Sequence, residues 1–108
     1  MTPLLYLAGP MSDLPESNFP AFDRAAERLR KAGYEVLSPA EEAAGHESDT
    51  WEQHMRRDLA AMCWNADSVA TIEGFEQSTG ASLEVHVAKA LTMEVMPVSA
   101  WLQRAATT

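Results

Sequence analysis

The sequence of 108 residues is poor in cysteine, in basic side chains and in long apolar runs. Its one cysteine, Cys63, excludes a disulfide framework and a zinc site built from cysteines. Eight Lys and Arg against sixteen Asp and Glu give a formal net charge of -8, which argues against binding of polymeric nucleic acid. The apolar runs fall far short of the about 20 residues of a transmembrane helix, and no signal-peptide pattern opens the chain. We therefore expect an acidic cytoplasmic protein without a membrane partner, folded as one domain over residues 1–108.

Short apolar runs alternate along the chain with stretches in which apolar residues recur at helical spacing. Strands are predicted at Leu4–Ala8, Tyr34–Leu37, Asp67–Ile72 and Val95–Val98. Helices are predicted from Ser17 or Asn18 to Ala32, from Thr50 through Met62, from Ser78 to Leu91, and from Ser99 through Leu102. Such alternation is typical of an α/β fold with a parallel sheet between helices. We expect a small flavodoxin-like or Rossmann-like three-layer sandwich, with about four strands in the order 2-1-3-4.

In such a fold, ligands bind beyond the carboxyl ends of the strands, where the strand order reverses. The loops after Ala8, Leu37 and Ile72 form that rim. Gly9 in the first loop would let the backbone approach a ligand closely, although a simple turn is the commoner reason for a Gly-Pro pair. The segment Glu35–Glu52 holds six carboxylates and no Lys or Arg. It is either a surface loop with a short helical turn at 40–44 or a mobile lid over a pocket.

Two carboxylates fall on helices that border this rim. Glu84 lies in the helix predicted from Ser78, and Asp58 lies in the helix predicted from Thr50. Each is either an ordinary surface charge or a group that points into the pocket. Two carboxylates at one pocket suit glycosidic-bond chemistry, in which one attacks the anomeric carbon and the other manages a proton. Ser78 or Thr79 either only caps its helix or also marks an anion site at the free N–H groups there.

The histidines, the cysteine and the aromatic side chains are expected to be structural. No metal-binding spacing links the three histidines, which are therefore assigned to the surface or to packing contacts: His46, His54 and His86. Cys63 is predicted to be a small buried apolar residue. The larger aromatic side chains are expected mostly in the core: Trp51, Trp64, Phe75 and Trp101. Phe75, in the loop after the third strand, could instead stack on a base.

Four fragments together resemble a known family. They are Tyr6–Ser12, Asn18–Phe22, Arg56–Leu59, and Glu76–Ser78 with the helix that continues through Glu84. In combination they resemble the DUF4406 family, which is common in phages and prophages. That family is similar to the nucleoside 2-deoxyribosyltransferase superfamily, which includes deoxynucleoside 5′-monophosphate N-glycosidases. The resemblance covers residues 4 to about 98.

The resemblance implies catalytic roles for three residues. Glu84 matches the nucleophilic glutamate that opens the N-glycosidic bond and holds the sugar covalently. Asp58 matches an aspartate that contacts the substrate and assists departure of the base, and Tyr6 matches a tyrosine near the nucleophile. Substrate-binding residues are expected at Gly9, Pro10, Met11, Ser12, Phe75, Ser78 and Gly80. Ser78 stands where the monophosphate hydrolases have a serine for the 5′-phosphate, so it favours a nucleotide substrate.

The resemblance thus implies cleavage or transfer of the N-glycosidic bond of a (deoxy)nucleoside or its 5′-monophosphate through a glycosyl-Glu84 intermediate. It requires no metal and no other cofactor, and it implies a homodimer or larger homo-oligomer, because a neighbouring subunit commonly completes the site in that superfamily. Two alternatives remain open. One is a non-catalytic module that binds or senses a nucleotide. The other is a small phage interaction protein that uses the apolar tail around Trp101 as an interface.

Overall fold

The computed structural model describes residues 2–107, which build one parallel sheet with helices on both faces. The strands are β1 (Leu4–Ala8), β2 (Glu35–Leu37), β3 (Ser68–Thr71) and β4 (Glu94–Pro97). They pair in the order β2-β1-β3-β4, and every pair is parallel. Tyr6 of β1 lies opposite Leu37 on one side and opposite Val69 on the other. The predicted α/β class and strand order 2-1-3-4 are confirmed.

Helices connect the strands and flank the sheet. In the described part of the chain they are α1 (Phe19–Lys31), α2 (Pro39–Glu42), α3 (Trp51–Asn65), α4 (Thr79–Ala90) and α5 (Val98–Ala106). Short 3₁₀ turns at Pro15–Asn18 and Phe75–Gln77 precede α1 and α4. Within residues 2–107 no helix has both the length and the apolar character needed to cross a membrane.

The central strand β1 sends alternate side chains to the two faces of the sheet, as the two-residue repeat of a strand requires. Leu5 and Leu7 pack with α1 and α5 on one face. Tyr6 and Ala8 pack with residues of α3 and α4 on the opposite face. The result is the expected three-layer sandwich, and it directs the Tyr6 side chain toward α4.

Trp101 belongs to the core and is 1% exposed. Its Nε1 donates a hydrogen bond to the Val69 carbonyl oxygen at 3.0 Å, and its own carbonyl oxygen accepts one from the Tyr34 hydroxyl at 2.8 Å. The Tyr34 ring meets the indole edge to face, with ring centres 5.7 Å apart. The core assignment of Trp101 is therefore confirmed. The Trp101 side chain is therefore not available to a partner, and an interface formed by the rest of the tail stays a prediction.

The helix α3 buries a narrower face than the sequence predicts. Met55 and Met62 are buried, but Cys63 is exposed and Trp64 is 90% exposed. Each residue turns about 100° around a helix, so the two residues after the buried Met62 point away from the sheet. The prediction of a buried Cys63 and a core Trp64 is wrong. Trp51, at the start of the helix, is 44% exposed rather than a core residue.

Local signals fix where several helices begin. The Thr50 hydroxyl accepts a hydrogen bond from Gln53 N at 3.1 Å, and the Gln53 side chain accepts one from Thr50 N at 2.7 Å, which confirms the capping box of α3. The short turn predicted at 40–44 is present as α2. The final helix starts at Val98 after Pro97, so the proposed Ser99 cap is wrong. Pro97 fixes its own φ near the value that a helix start needs.

Candidate active site

A cavity of about 240 Å³ opens at the carboxyl edge of the sheet, between the loop after β1 and the N-terminal halves of α3 and α4. This is the rim at which the strand order reverses, because β2 lies on one side of β1 and β3 lies on the other. The predicted site residues that line the cavity are Gly9, Met11, Ser12, Asp58, Ser78, Gly80 and Glu84. The fold therefore gathers residues from three separate chain segments at one place.

Glu84 lines the cavity and is hydrogen-bonded to Tyr6, which is buried behind it and is not itself a lining residue. Glu84 is 5% exposed and Tyr6 is 1% exposed, and the Tyr6 hydroxyl donates a hydrogen bond to Glu84 Oε2 at 2.5 Å. Burial raises the pKa of Glu84 to about 8; the Tyr6 hydrogen bond acts against this shift, and the charge of Asp58 adds to it. Burial, followed by the charges of Glu84 and Asp58, raises the pKa of Tyr6 well above its usual value. Tyr6 therefore stays a hydrogen-bond donor.

Asp58 faces the same cavity from α3, so it is not the solvated surface charge that was the simpler alternative. Burial raises its pKa to about 6, opposed by His54 and Arg57 and assisted by Glu42. Because Asp58 also raises the pKa of Glu84, the two carboxyls titrate as a pair. Between about pH 6 and about pH 8 the pair holds one proton, and the higher pKa of Glu84 places that proton mainly on Glu84. One carboxylate and one carboxylic acid are the forms that a nucleophile and a proton donor need.

A chain of polar contacts runs from the loop before α3 to His54 on α3, which lines the cavity and is not only the surface or packing histidine expected from the sequence. Arg57 forms an ion pair with Asp49, and Arg57 Nη1 lies 3.4 Å from His54 Nδ1. His46 Nδ1 also lies 3.4 Å from the Asp49 carboxylate. The one signal for His54 in the sequence is its position four residues before Asp58, which places both side chains on the same helix face.

The start of α4 forms the adjacent wall. Ser78 caps the helix, since its Oγ accepts a hydrogen bond from Ala81 N at 3.2 Å. Gly80 allows α4 to come close to α3, because a Cβ there would lie 3.1 Å from Met55 Sδ. The same N-terminal turn continues into a neighbouring depression that Ser12, Ser78 and Gly80 share with the cavity.

The loop after β1 forms the opposite wall. Gly9 lines the cavity, and it also allows the loop to pack against Ile72, because a Cβ at this position would lie 2.8 Å from Ile72 Cβ. Met11 and Ser12 line the cavity, whereas Pro10 lines the neighbouring depression. The Asn18 side-chain amide donates a hydrogen bond to the Pro10 carbonyl oxygen at 2.9 Å and so ties the loop to the start of α1.

Phe75 lies outside the cavity. Its side chain packs against the core cluster that contains Tyr6 and Val69, and it borders a separate depression beside Arg24 and Arg28. The structure thus favours the packing role that the sequence left open, and it gives Phe75 no place to stack on a base in the cavity.

The ionisable side chains that line the cavity are three carboxyls and the His54 imidazole. The carboxyls are Asp13, Asp58 and Glu84, and no Lys or Arg is among the described residues that line it. The acidic segment also contributes Pro39 and Ala43 to the wall. Within residues 2–107, no three His, Cys, Asp or Glu side chains are grouped closely enough to hold a metal ion. These carboxyls favour a neutral or positively charged ligand over an anion.

Comparisons with known proteins identify the fold and the family of the chain. No curated protein matches the chain. A solved structure of a 2-deoxyribosyltransferase from the psychrotolerant bacterium Bacillus psychrosaccharolyticus, described as a biocatalyst for nucleoside synthesis, has the same fold. It matches with a TM-score of 0.68 and 26% identity, over 87% of this chain and 70% of that one. The model of the DUF4406 family, a domain of unknown function, matches residues 3–97, and the chain therefore belongs to the DUF4406 family.

Proposed function

We propose that this protein breaks the N-glycosidic bond of a 2′-deoxynucleoside and passes the sugar to water or to another base. The observation that carries the proposal is the buried Glu84 carboxyl, hydrogen-bonded to Tyr6, with Asp58 at the same cavity. The likeness to a 2-deoxyribosyltransferase supports nucleoside chemistry in this fold. Glu84, Tyr6 and Asp58 come from α4, β1 and α3, so the fold itself brings them together.

The reactive form of the pair is the one in which its single proton has moved from Glu84 to Asp58. In the first step, a carboxylate oxygen of Glu84 forms a bond to C1′ while the bond from C1′ to the base nitrogen breaks. The electron pair of the broken bond goes to the base, which takes a proton from the Asp58 carboxyl. The Tyr6 hydroxyl donates to the same Glu84 carboxyl and holds it in one orientation. The sugar is then an ester of Glu84, and Asp58 is a carboxylate.

In the second step, water or an incoming base attacks C1′ and releases Glu84 as a carboxylate. Asp58 takes the proton that the attacking group loses, which restores the starting protonation of the pair. The shared proton between about pH 6 and about pH 8 makes both steps available near neutrality.

We further propose that the substrate is a nucleoside rather than its 5′-monophosphate. A phosphate in the cavity would meet Asp13, Asp58 and Glu84, and no Lys or Arg within residues 2–107 lines the cavity to offset them. Ser78, which the family resemblance links to a 5′-phosphate, uses its oxygen to cap α4. An uncharged 5′-hydroxyl has no such repulsion to overcome.

The test is release of free base, followed by chromatography, from a panel of deoxynucleosides and their 5′-monophosphates. Wild-type protein should release base from at least one nucleoside, and more slowly from the matching monophosphate. Glu84→Gln should lose at least about a thousandfold in rate, because the attacking carboxylate is gone. Glu35→Gln is the matched control. Glu35 is exposed at the start of β2, away from the carboxyl edge where the cavity lies, so this variant should keep full activity.

A folding check accompanies the Glu84 variant. Burial raises the pKa of Glu84 from 4.5 to about 8, so between these pH values the carboxyl ionises in the unfolded chain while it stays protonated in the folded protein, and stability falls as the pH rises through this range. Glu84→Gln, whose side chain does not ionise, should therefore melt no lower than wild type at a pH near the pKa of Glu84, which is about 8. Equal base release by Glu84→Gln and wild type contradicts the proposal. Tight nucleotide binding without any turnover favours the non-catalytic binding module instead.

A further inference from the structure

The helix α3 turns two polar side chains toward the cavity, one helical turn apart. They are His54 and Asp58, and both line it. The proposed mechanism uses Asp58 but gives His54 no task. An imidazole that borders a reaction cavity can donate or accept a hydrogen bond, and its neighbours decide which.

The neighbours of His54 fix its tautomer. The Arg57 guanidinium has only donors, so His54 Nδ1, which lies 3.4 Å from Arg57 Nη1, must accept. The ring proton is then on Nε2. Arg57 is itself held by its ion pair with Asp49, and Asp49 is also contacted by His46. Arg57, Asp49 and His46 do not line the cavity, but their contacts orient His54 so that its Nε2–H is the hydrogen-bond donor.

We propose that His54 is a catalytic hydrogen-bond donor to the departing base, and that Arg57 and Asp49 are positioning residues that hold its proton on Nε2. The inference rests on the proposed function. When the bond from C1′ to the base breaks, its electron pair gives the base negative charge. Asp58 supplies the proton to one nitrogen of the base, and His54 Nε2–H donates to a second acceptor on the same base. His54 keeps its own proton, so the balance of the reaction is unchanged.

A donor that is already oriented stabilises charge as it develops, without reorganisation at the moment of reaction. Asp58 and His54 are four residues apart on one helix, so they present a donor pair of fixed spacing to the flat edge of a base. His54 therefore also selects the base: those with two acceptors on one edge are favoured over those with a single acceptor.

The test compares two leaving groups. One substrate is an ordinary deoxynucleoside that wild type cleaves; the other carries an N-methylated, cationic purine, which leaves as a neutral base and needs no donor. His54→Phe should lose about a hundredfold in kcat on the ordinary substrate and little on the cationic one. His54→Gln, which keeps an N–H donor, should recover part of the loss. His86→Gln, at an exposed histidine on α4, is the control and should leave both rates unchanged.

Arg57 is tested by a double-mutant cycle on the ordinary substrate. Arg57→Met should cost about tenfold in kcat in the wild-type background. It should cost much less in the His54→Gln background, because an amide donor does not depend on the tautomer. Arg56→Met, at the exposed neighbouring arginine, should leave kcat unchanged in both backgrounds.

The outcomes separate the inference from the proposed function. A wild type that cleaves neither substrate overturns both. If wild type is active and Glu84→Gln loses both substrates, the proposed function stands whatever His54 does. Equal losses on the two substrates in His54→Phe, or an undiminished effect of Arg57→Met in His54→Gln, overturn the role of His54, because a purely structural residue would behave in that way.

Discussion

At the scale of residues, the chemistry of this protein depends on burial acting against charge. Glu84 is nearly inaccessible and has one hydrogen-bond donor, Tyr6, which offsets only part of what burial does to its pKa. Asp58 is less buried and keeps a lower pKa. The difference between their surroundings separates the pKa values of two carboxyls of similar intrinsic acidity, so the pair keeps one proton near neutrality, and in the proposed mechanism that proton passes to Asp58 before Glu84 attacks.

The residue scale predicts the pH dependence of base release. The profile of kcat/KM should be bell-shaped, with limbs near about pH 6 and about pH 8. Below the lower limb both carboxyls are protonated and no nucleophile remains; above the upper limb both are ionised and no proton remains for the base. In Tyr6→Phe the upper limb should move to higher pH, because the hydrogen bond that lowers the pKa of Glu84 is lost.

The same profile provides the control. Tyr34→Phe removes a hydroxyl that bonds to a core carbonyl on the opposite face of the sheet, so both limbs should stay in place. A profile for Tyr6→Phe that superimposes on that of wild type contradicts the coupling between Tyr6 and Glu84.

Single residues also mark the limits of sequence reasoning. Glu84 and Asp58 were singled out because their predicted helices border the rim and because they fall in fragments that resemble a family, whereas Tyr6 was singled out by the resemblance alone. His54 was missed because its orientation depends on Arg57 and Asp49, and the contact with Asp49 spans the loop before α3. The sequence around a histidine does not show which side chains will contact its ring in the folded protein, so contacts such as those of Arg57 and Asp49 could not be predicted.

At the scale of elements, the cavity exists because α3 and α4 approach each other and because the loop after β1 turns tightly. Both features depend on glycine. Gly9 sits against Ile72 and Phe22, and Gly80 sits against Met55. A side chain at either position would push apart the elements that carry Tyr6, Asp58 and Glu84.

The element scale predicts unequal effects of two small substitutions on stability. Gly9→Ala should lower the free energy of unfolding by about 1–3 kcal/mol, because its Cβ would lie 2.8 Å from Ile72 Cβ and neither backbone can yield easily. Gly80→Ala should cost less, since the nearest atom, Met55 Sδ at 3.1 Å, belongs to a flexible side chain. Urea unfolding of both variants measures the difference. A larger loss in Gly80→Ala contradicts this account of the packing.

The order of elements was predictable and their ends were not. Alternating periods of two and of about 3.6 residues identified the strands, the main helices and the parallel sheet. The helix α3 carries more apolar residues than its buried face accepts, and sequence periodicity alone did not show that Cys63 and Trp64 point outward. Strand ends match the predictions or differ from them by one residue, as for β3 at Ser68–Thr71.

At the scale of the whole molecule, the acidic balance separates two kinds of partner. A formal net charge of -8 opposes a nucleic-acid polymer, and the acidic lining of the cavity extends that preference to the substrate itself. The predicted homodimer and the extent of the domain remain predictions. Sedimentation of the protein, whose chain mass is 11.8 kDa, would show whether it exists in solution as a multiple of that mass.

The account as a whole claims that Glu84 becomes covalently bound to the sugar. The most direct measurement is intact-mass and peptide mass spectrometry after incubation with a 2′-fluorinated deoxynucleoside. Its fluorine destabilises the oxocarbenium-like transition state, so that a glycosyl ester, once formed, breaks down slowly enough to be detected. The account predicts one added sugar per chain, on the peptide that contains Glu84, and none in Glu84→Gln. Base release by wild type without any adduct, or an adduct on Asp58, would contradict it.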